Sequence, residues 1–256
     1  MNTALRAVMV SAVAAVALVV APSRALAQLP PAGAIYDLET AYGTATPYSA
    51  NYQAVSGISF VADTTGTEYV SFAFRETPAY FSFDNACVWL SSSTCASGNL
   101  LADPGFESDT AANVDTNFPV GWDRWIQPVD TAAIGVVASS SFLYGCGQSG
   151  TGGGPFAGTY FWCDGSVQGF DALYQPVSVT LGQTYDISFE LADNSGQDLI
   201  DTTGDGIDML VYAGDQIPVG TQQIGGVVPE PSTLVTLGTG LLSLAGFARR
   251  RFARNS

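Results

Sequence analysis

Apolar and polar residues alternate one by one in several segments in the middle of this chain, and this pattern restricts the fold more than any other feature. A period of two residues places one face of a strand against a core. Turn-forming segments separate these stretches, and no sustained helical stripe occurs among them. The sequence predicts an all-β fold, an antiparallel β-sandwich of jelly-roll type. The alternating segments are Val70–Arg75, Val177–Leu181 and Tyr185–Leu191, and the turns are Asp63–Gly66, Leu181–Gln183 and Asp193–Gly196.

The first 27 residues are typical of a secretory signal peptide. Arg6 precedes an apolar stretch, Ala7–Val20, and Ala25-Leu26-Ala27 forms a small-x-small cleavage site. A charged start, a short apolar core and such a site are the parts of that signal. Fourteen apolar residues are too few to favour a permanent membrane span. Gln28 is therefore the expected first residue of the mature chain.

The C-terminal segment predicts one transmembrane helix. Residues 232–248 are apolar or uncharged over seventeen positions, which is at the lower limit for crossing a bilayer. The cluster Arg249-Arg250-Arg251 follows directly and is expected to hold that end in the cytoplasm. The inner membrane is therefore an expected partner.

The order of three parts in residues 228–256 resembles the PEP-CTERM sorting signal of Gram-negative bacteria. Val228-Pro229-Glu230-Pro231 comes first, the apolar span second and the arginine cluster third. The resemblance implies cleavage by the membrane protease exosortase near Pro-Glu-Pro. It also implies export through the inner membrane, a transient anchor, and a final location at the cell surface or outside the cell. An ordinary C-terminal anchor that is never cut is the alternative.

The pattern divides the chain into four parts. Residues 1–27 are the signal peptide and residues 28–212 the β-sandwich domain. Residues 213–227 are rich in Gly, Gln, Pro and Val without alternation, which predicts a linker. Residues 228–256 are the sorting signal.

The expected mature segment, residues 28–231, is strongly acidic. It contains all 23 acidic residues but only Arg75 and Arg124 as cations, and the chain has no Lys, so the formal net charge of this segment is −21. Nucleic acid and anionic lipid are repelled by such a surface, so no nucleic-acid partner is expected. Divalent cations and neutral polymers such as polysaccharide are compatible with this charge as partners. The alternative is that the charge only keeps the exported protein soluble.

The residue types that are absent exclude common chemistries. The chain has no His, which excludes Ser-His-Asp and Cys-His catalysis. An even number of Cys in an exported chain indicates disulfides. Four Cys allow three pairings. We favour Cys87–Cys95 with Cys146–Cys163, because each of these closes a short loop.

Three segments of the body resemble parts of exported sandwich domains that are similar to galactose-binding-like and jelly-roll carbohydrate-binding modules. The opening motif is Asn99–Glu107 followed by Gly121-Trp122, and the middle motif runs from Gln175 through Gly182–Phe189. The closing motif, Phe74–Pro78 with Phe83–Val88, precedes the opening motif here. We interpret the order as one circularly permuted domain, in which Cys87 to Cys95 joins strands that are neighbours in the sandwich. A truncated domain followed by a second one is the alternative.

The resemblance implies a structural Ca²⁺ near the opening and closing strands. The matching residues are Glu107 and Asp84, with Asp103 close in sequence. A second acidic segment, with Asp201, Asp205 and Asp208, resembles the start of a calcium loop but lacks the final Glu of that pattern. The alternative for the first site is a set of solvated acids in turns. The alternative for the second site is a polar hairpin loop. Structural Ca²⁺ is the one cofactor considered.

Aromatic residues in the middle of the chain predict a carbohydrate-binding surface. Aromatic rings with a polar atom suit half-solvated surfaces, where their faces stack on sugar rings. The candidates are Trp125, Tyr160, Trp162 and Tyr174. Trp122 and Tyr185 are expected in the core instead.

These patterns predict an exported, non-catalytic protein of the exopolysaccharide or biofilm matrix, with a structural or carbohydrate-binding role. No nucleophile motif is present, and no observation selects two carboxylates as an acid and a base. A glycan-acting hydrolase and a purely structural surface protein without a ligand are the alternatives.

Overall fold

A computed structural model gives the fold of this chain and describes residues 30–42, 51–76, 80–110, 118–128, 135–139, 154–167, 169–193, 207–218 and 220–224. The predicted signal peptide, transmembrane helix and sorting signal lie outside these ranges. In the described ranges no helix has the length and apolar character needed to cross a membrane.

The described elements are strands with two short helices. In chain order they are β1 (Tyr36–Asp37), α1 (Leu38–Tyr42), β2 (Gln53–Val61), β3 (Gly66–Arg75), β4 (Phe81–Leu90), α2 (Cys95–Gly98), β5 (Asp123–Ile126), β6 (Val136–Ser139), β7 (Tyr160–Asp164), β8 (Asp171–Val179), β9 (Thr184–Asp193), β10 (Asp208–Gly214) and β11 (Gln222–Ile224).

The strands form two antiparallel sheets, which confirms the predicted all-β sandwich-like architecture. One sheet has the order β1-β10-β3-β8-β5-β11, and the other β2-β9-β4-β7-β6. Each sheet combines strands from before and after α2, since β3 lies between β10 and β8, and β4 between β9 and β7. The described strands therefore build one interleaved sandwich. The circular permutation itself stays a prediction.

The main core lies between the two sheets and is aromatic. Phe72 and Phe74 of β3 point inward, as the alternation predicts, and meet Phe83 of β4 with ring centroids 4.9 and 5.3 Å away. Phe189 of β9 contacts Phe72 and Phe83, both at 5.5 Å. Because each fully buried aromatic side chain contributes roughly 1.5–3 kcal/mol, this cluster dominates the packing energy between the sheets.

The outer face of the six-stranded sheet carries a second apolar cluster. Trp125 and Tyr212 pack edge to face in it, with centroids 5.9 Å apart. Segments distant in sequence contribute to this face, since the Tyr212 hydroxyl donates to the Pro31 carbonyl at 2.8 Å and Ile217 packs against the cluster. Both faces of this sheet are therefore apolar.

The boundary between the domain and the linker differs from the prediction. β10 continues to Gly214, and β11 pairs with β5 through Gln222↔Ile126 and Ile224↔Arg124. Part of the segment 213–227 is thus a strand of the sandwich. Three residues are too few to show alternation, and their pairing partner is almost 100 residues away, so this strand has no local signal in the sequence.

Candidate functional site: two carboxylates beside residues 154–160

The predicted calcium ligands Asp84 and Glu107 lie close together, and an irregularity in β4 determines where Asp84 lies. The register between β4 and β9 shifts between Asp84 and Cys87, and Asn85 adopts a φ of 52°. The Asp84 carboxylate accepts the Asn85 N–H at 2.6 Å. Bulges of this kind redirect a side chain and end regular pairing. After the bulge β4 remains paired with β9, but its other edge, which pairs with β7 only through Phe81–Phe83, bonds a different segment.

That segment is the predicted opening motif. The Ala86 N–H donates to the Pro104 carbonyl at 3.0 Å, and the Leu100 N–H to the Val88 carbonyl at 2.7 Å. The opening motif therefore lies beside the final strand of the closing motif, as the permuted arrangement predicts.

Two amide side chains hold the opening motif, and the sequence analysis did not assign them a role. Asn99 accepts the Val88 N–H at 3.0 Å and donates to the Ala86 carbonyl at 3.0 Å. Gln175 accepts the Ala102 N–H at 2.8 Å and donates to its carbonyl at 2.6 Å. A carboxamide has an oxygen acceptor and two N–H donors. It can therefore bond both the N–H and the carbonyl of a backbone residue, as a neighbouring strand does. Asn99 begins the opening motif and Gln175 begins the middle motif, and this position in the motifs is the sequence signal for their role.

Within the opening motif, Phe106 is buried in the core and the next residue, Glu107, is exposed. Phe106, with φ 60°, is fully buried and stacks on Trp122 and Trp162 at 5.7 and 6.3 Å. Trp122 is in the core as expected, and its indole N–H donates to the Asp103 carbonyl at 3.1 Å. Glu107 is exposed at the other side of this turn.

Asp84 and Glu107 bind the backbone of residues 154–160, which we call the strap. Asp84 accepts the N–H groups of Phe156 and Ala157 at 2.8 and 3.1 Å. Glu107 accepts those of Thr159 and Tyr160 at 2.7 and 2.9 Å. Charge-assisted hydrogen bonds of this type are about twice as strong as neutral ones. The two carboxylates therefore fasten the strap to β4 and the opening motif.

The electrostatic environment of Asp84 is unfavourable for a charge. Burial, opposed by the three backbone donors and assisted by the charge of Glu107, raises the pKa of the Asp84 carboxyl to about 7. Burial and the charge of Asp84 also raise the pKa of Tyr52, whose hydroxyl donates to the Gly154 carbonyl at 2.9 Å. A cation would relieve this repulsion.

The donor set for a calcium ion is incomplete among the described residues. Ca²⁺ takes six to eight oxygens, and no group of three or more His, Cys, Asp or Glu side chains is placed to share a metal in the described ranges. Asp103 accepts the Ser108 N–H at 2.9 Å through one oxygen, and its other oxygen is buried without a hydrogen-bond partner. The arrangement shown is an amide-binding pair of carboxylates.

The second predicted calcium segment is only partly described. Asp201 and Asp205 lie outside the described residues. Asp208 accepts the N–H groups of Met209 and Glu39 at 2.8 and 3.3 Å. Burial, together with the charge of Asp37, raises the pKa of Asp208 to about 7.

Of the four aromatic residues predicted to bind carbohydrate, three are buried and one is half-buried. Trp125 is buried in the outer cluster with Tyr174, and Trp162 is buried in the main core. These three side chains are buried and do not present their ring faces to solvent in this structure. Tyr160 is half-buried at the end of the strap. Segments that are remote in sequence cover the outer face of the six-stranded sheet. The local sequence pattern contains no signal of this cover, so it predicted that aromatic residues on this face are exposed to solvent.

A buried charged group lies at one end of the core, and the sequence analysis did not single it out. Arg124 forms an ion pair with Asp171, and both side chains are at most 1% exposed. Asp164, also fully buried, accepts the Trp162 indole N–H at 2.9 Å and the Ser166 N–H at 3.1 Å. Burial raises the pKa of both Asp164 and Asp171, and the neighbouring charge of Asp164 raises that of Asp171 further.

One predicted disulfide is present. Cys87 and Cys95 are bonded across eight positions, with Cα atoms 5.9 Å apart, so the bond ties α2 to β4. Cys163 is also disulfide-bonded. Cys146, its predicted partner, lies outside the described residues.

The fold and site define a β-sandwich whose acidic side chains bind its own backbone. Comparison with known families adds one match, in which residues 227–251 fit the PEP-CTERM protein-sorting motif. The match starts three residues after β11 and confirms the predicted sorting signal. It indicates export, a transient membrane anchor and exosortase-dependent sorting. No curated protein and no solved structure matches the chain.

Proposed function

We propose that this protein is a non-catalytic, structural component of the cell surface or the extracellular polysaccharide matrix, delivered there by exosortase-dependent processing. The observation that carries the proposal is the sorting motif at 227–251 directly behind a single packed sandwich. A chain with this tail is handed to a membrane protease as a folded domain. Its location, rather than a reaction, is then the main part of its function.

The arrangement of aromatic and acidic residues favours a structural role over a sugar-binding one. Three of the four Trp side chains are buried, and Trp89 is half-buried. Asp84 and Glu107 use oxygens to hold the strap. Sugar recognition needs exposed ring faces and free polar groups, and these residues provide neither. The second proposal is a matrix protein that binds carbohydrate through other surfaces of the domain.

The hydrolase alternative has less support. Two neighbouring carboxyl groups, Asp164 and Asp171, are fully buried, and Asp171 is paired with Arg124. A glycosidase needs two carboxylates that flank a bound sugar in an open cleft. These two are inaccessible to a substrate in the folded domain.

A localisation experiment tests the proposal. The full-length chain is produced in a Gram-negative host with an exosortase, and its distribution between inner membrane, cell surface and medium is followed by immunoblotting. The triple variant Pro229→Ala, Glu230→Ala, Pro231→Ala is expected to stay in the membrane at full length, and Asp123→Asn, an exposed acid on β5, to behave as the unmodified chain. Normal release of the triple variant contradicts the sorting role. Saturable binding or cleavage of the host polysaccharide by the released protein contradicts a purely structural role.

A further inference from the structure

We propose that the peptide bond between Asp103 and Pro104 is a self-cleavage site, at which the domain slowly cuts its own backbone and becomes a sandwich of two chains. The inference goes beyond the proposed function, because it assigns the protein a reaction that each molecule performs once, on itself. Asp103-Pro104 is the one Asp-Pro pair in the sequence. It lies in the opening motif, shortly before the buried Phe106.

Two N–H groups converge on the carbonyl oxygen of this bond. The Phe106 backbone N–H donates to the Asp103 carbonyl at 3.2 Å, and the Trp122 indole N–H donates to the same oxygen at 3.1 Å. Paired donors of this kind form the oxyanion hole of acyl-transfer enzymes, where they stabilise the charge that develops during attack on a carbonyl carbon. The Phe106 and Trp122 rings are buried and stack at 5.7 Å, so both donors are held in place before the reaction.

The nucleophile is the carboxyl group of Asp103 itself. One of its oxygens accepts the Ser108 N–H at 2.9 Å, while Oδ2 is buried and has no hydrogen-bond partner among the described residues. A buried oxygen without a donor is poorly solvated, which favours its attack on a carbonyl carbon. Attack on the carbonyl carbon of the same residue closes a five-membered ring. Such an intramolecular step avoids the entropy cost of bringing two groups together.

The backbone at this bond is strained, and the group that leaves is a proline nitrogen. Asp103 has a φ of 45°, in the left-handed region that non-glycine residues rarely adopt, and the following proline restricts its backbone further. Strain of this type is concentrated at functional sites. Pro104 has no N–H and departs as a secondary amine. Cleavage relieves the strain, because Asp103 then becomes a chain end.

The reaction is a hydrolysis in two steps. Oδ2 of the neutral Asp103 carboxyl forms a bond to the Asp103 carbonyl carbon, and the carbonyl oxygen takes up the electron pair. That pair returns as the C–N bond to Pro104 breaks, and the carboxyl proton passes to the Pro104 nitrogen. The products are a cyclic anhydride at Asp103 and a free Pro104 amine. Water then opens the anhydride to two carboxyl groups, and no atom is oxidised or reduced.

The two pieces remain associated after the cut. Strands β1–β4 precede the bond and β5–β11 follow it, and each sheet contains strands from both pieces. The Cys87–Cys95 bond lies wholly before the cut, and the other two cysteines of the chain, Cys146 and Cys163, follow it. Strand pairing and core packing therefore hold the pieces together, and they separate only when the sandwich unfolds.

The full-length chain, purified in detergent from cells without exosortase, tests the proposal independently of sorting. It is incubated at pH 5 and 37 °C, either folded or in urea that unfolds it, and fragments are followed over several days by denaturing mass spectrometry. Fragments that end at Asp103 and begin at Pro104 are expected to form at least about tenfold faster from the folded chain, because only the fold supplies the two donors. Added hydroxylamine is expected to convert Asp103 into a hydroxamate, which identifies the anhydride.

Two variants distinguish this chemistry from the ordinary lability of an Asp-Pro bond. Trp122→Phe keeps an aromatic ring beside Phe106 and removes the indole donor. Pro104→Ala keeps the Asp103 carboxyl and changes the leaving nitrogen. We expect each to slow cleavage of the folded chain at least about tenfold, and Trp122→Phe to have no effect in urea. Asp123→Asn, an exposed acid next to Trp122, is the matched control with an unchanged rate.

Far-ultraviolet circular dichroism shows which variants are folded. No fragments from the folded chain, equal rates in the folded and unfolded chain, or an unchanged rate in folded Trp122→Phe would each overturn the proposal. If Trp122→Phe does not fold, an unchanged rate in Pro104→Ala overturns it instead. Failure of the sorting experiment would leave these results unaffected, because the chain used here is not processed by exosortase.

Discussion

At the scale of single residues, the stability of this sandwich depends on acids that are buried or bound to backbone. Arg124 is placed between the sheets with two carboxylates, Asp171 and Asp164, and its charge can balance only one of them. A buried ion pair is costly to break, because the remaining charge loses its partner in a medium of low dielectric constant. Burial raises the pKa of both acids, and the charge of Asp164 raises that of Asp171 further, so the group is accommodated with one of the two carboxyls neutral.

Two isosteric substitutions distinguish the contribution of Asp171, which pairs with Arg124, from that of Asp164. We expect Asp171→Asn to lower the free energy of unfolding by about 3–5 kcal/mol, since it removes the carboxylate that pairs directly with the buried Arg124 guanidinium. We expect Asp164→Asn to cost only about 1–2 kcal/mol, since it retains the ion pair and disturbs neutral hydrogen bonds. Urea unfolding at pH 7 measures both. An equal or reversed order would contradict this description of the pair.

The raised pKa values of Asp84 and Asp208, about 7 in each case, predict a pH dependence. Their pKa values in the folded state lie above the unfolded value of 3.8, so the folded state binds these protons more tightly. The resulting stability is fully present below about pH 4 and is lost as the pH rises to about 7, with an expected change on the order of a few kcal/mol.

Urea unfolding from pH 4 to pH 8 at constant ionic strength measures this dependence. The double variant Asp84→Asn, Asp208→Asn serves as the control and should show a flatter profile. General repulsion among the many acids has the same sign, so an unchanged slope in the double variant would assign the effect to net charge instead.

At the scale of elements, the opening motif and the strap are held to β4 by side chains rather than by regular pairing. Asn99 and Gln175 bond the backbone of the opening motif, and Asp84 and Glu107 bond the strap. The Cys87–Cys95 bond closes the connection between β4 and this motif. These contacts lie at the bulge, where the ladder of β4 is interrupted.

Removal of the disulfide tests the importance of this connection. A loop of this length corresponds to about 2–3 kcal/mol in the chain-entropy model. We expect Cys87→Ala, Cys95→Ala to lower the free energy of unfolding by that amount, with the far-ultraviolet circular dichroism spectrum unchanged. Ser91→Ala, in the same connection, is the control with little effect. A loss well under 1 kcal/mol would show that the side-chain contacts hold the connection without the covalent bond.

Calcium binding to the same elements is a separate prediction. Ca²⁺ at Asp84 and Glu107 would replace backbone donors as the partner of these carboxylates and bind only the folded state. A concentration of 100 times Kd then stabilises the protein by about 2.7 kcal/mol. Thermal melting of residues 28–231 with increasing CaCl₂, repeated for Glu107→Gln, measures this. No rise in Tm up to millimolar calcium would leave the pair as an amide-binding device alone.

The central strands were predictable from the sequence because their alternation is local. Val70–Arg75 and Tyr185–Leu191 lie within β3 and β9. Leu181, read as the end of an alternating strand, is instead exposed in the turn before Gly182, which has a φ of 76°. The cover over Trp125 and the pairing of β11 come from residues remote in the sequence. Such long-range contacts leave no periodic signal, which is why the sequence did not predict the burial of Trp125 and Tyr174.

At the scale of the whole molecule, the described strands form one sandwich, and the sorting signal follows its last described strand closely in sequence. The strand order combines residues from before and after α2 in both sheets, so each sheet needs both parts of the chain. Only two residues separate Ile224, the end of β11, from the matched motif at residue 227.

Intact-mass spectrometry of the protein recovered from the cell surface and medium tests this account most directly. Cells with and without the exosortase are compared. The account predicts a chain that starts at Gln28, ends near Pro229–Pro231 and contains two disulfides, and only in cells that have the protease. A released chain that retains residues 232–256, or the same truncated chain in cells without exosortase, would contradict it.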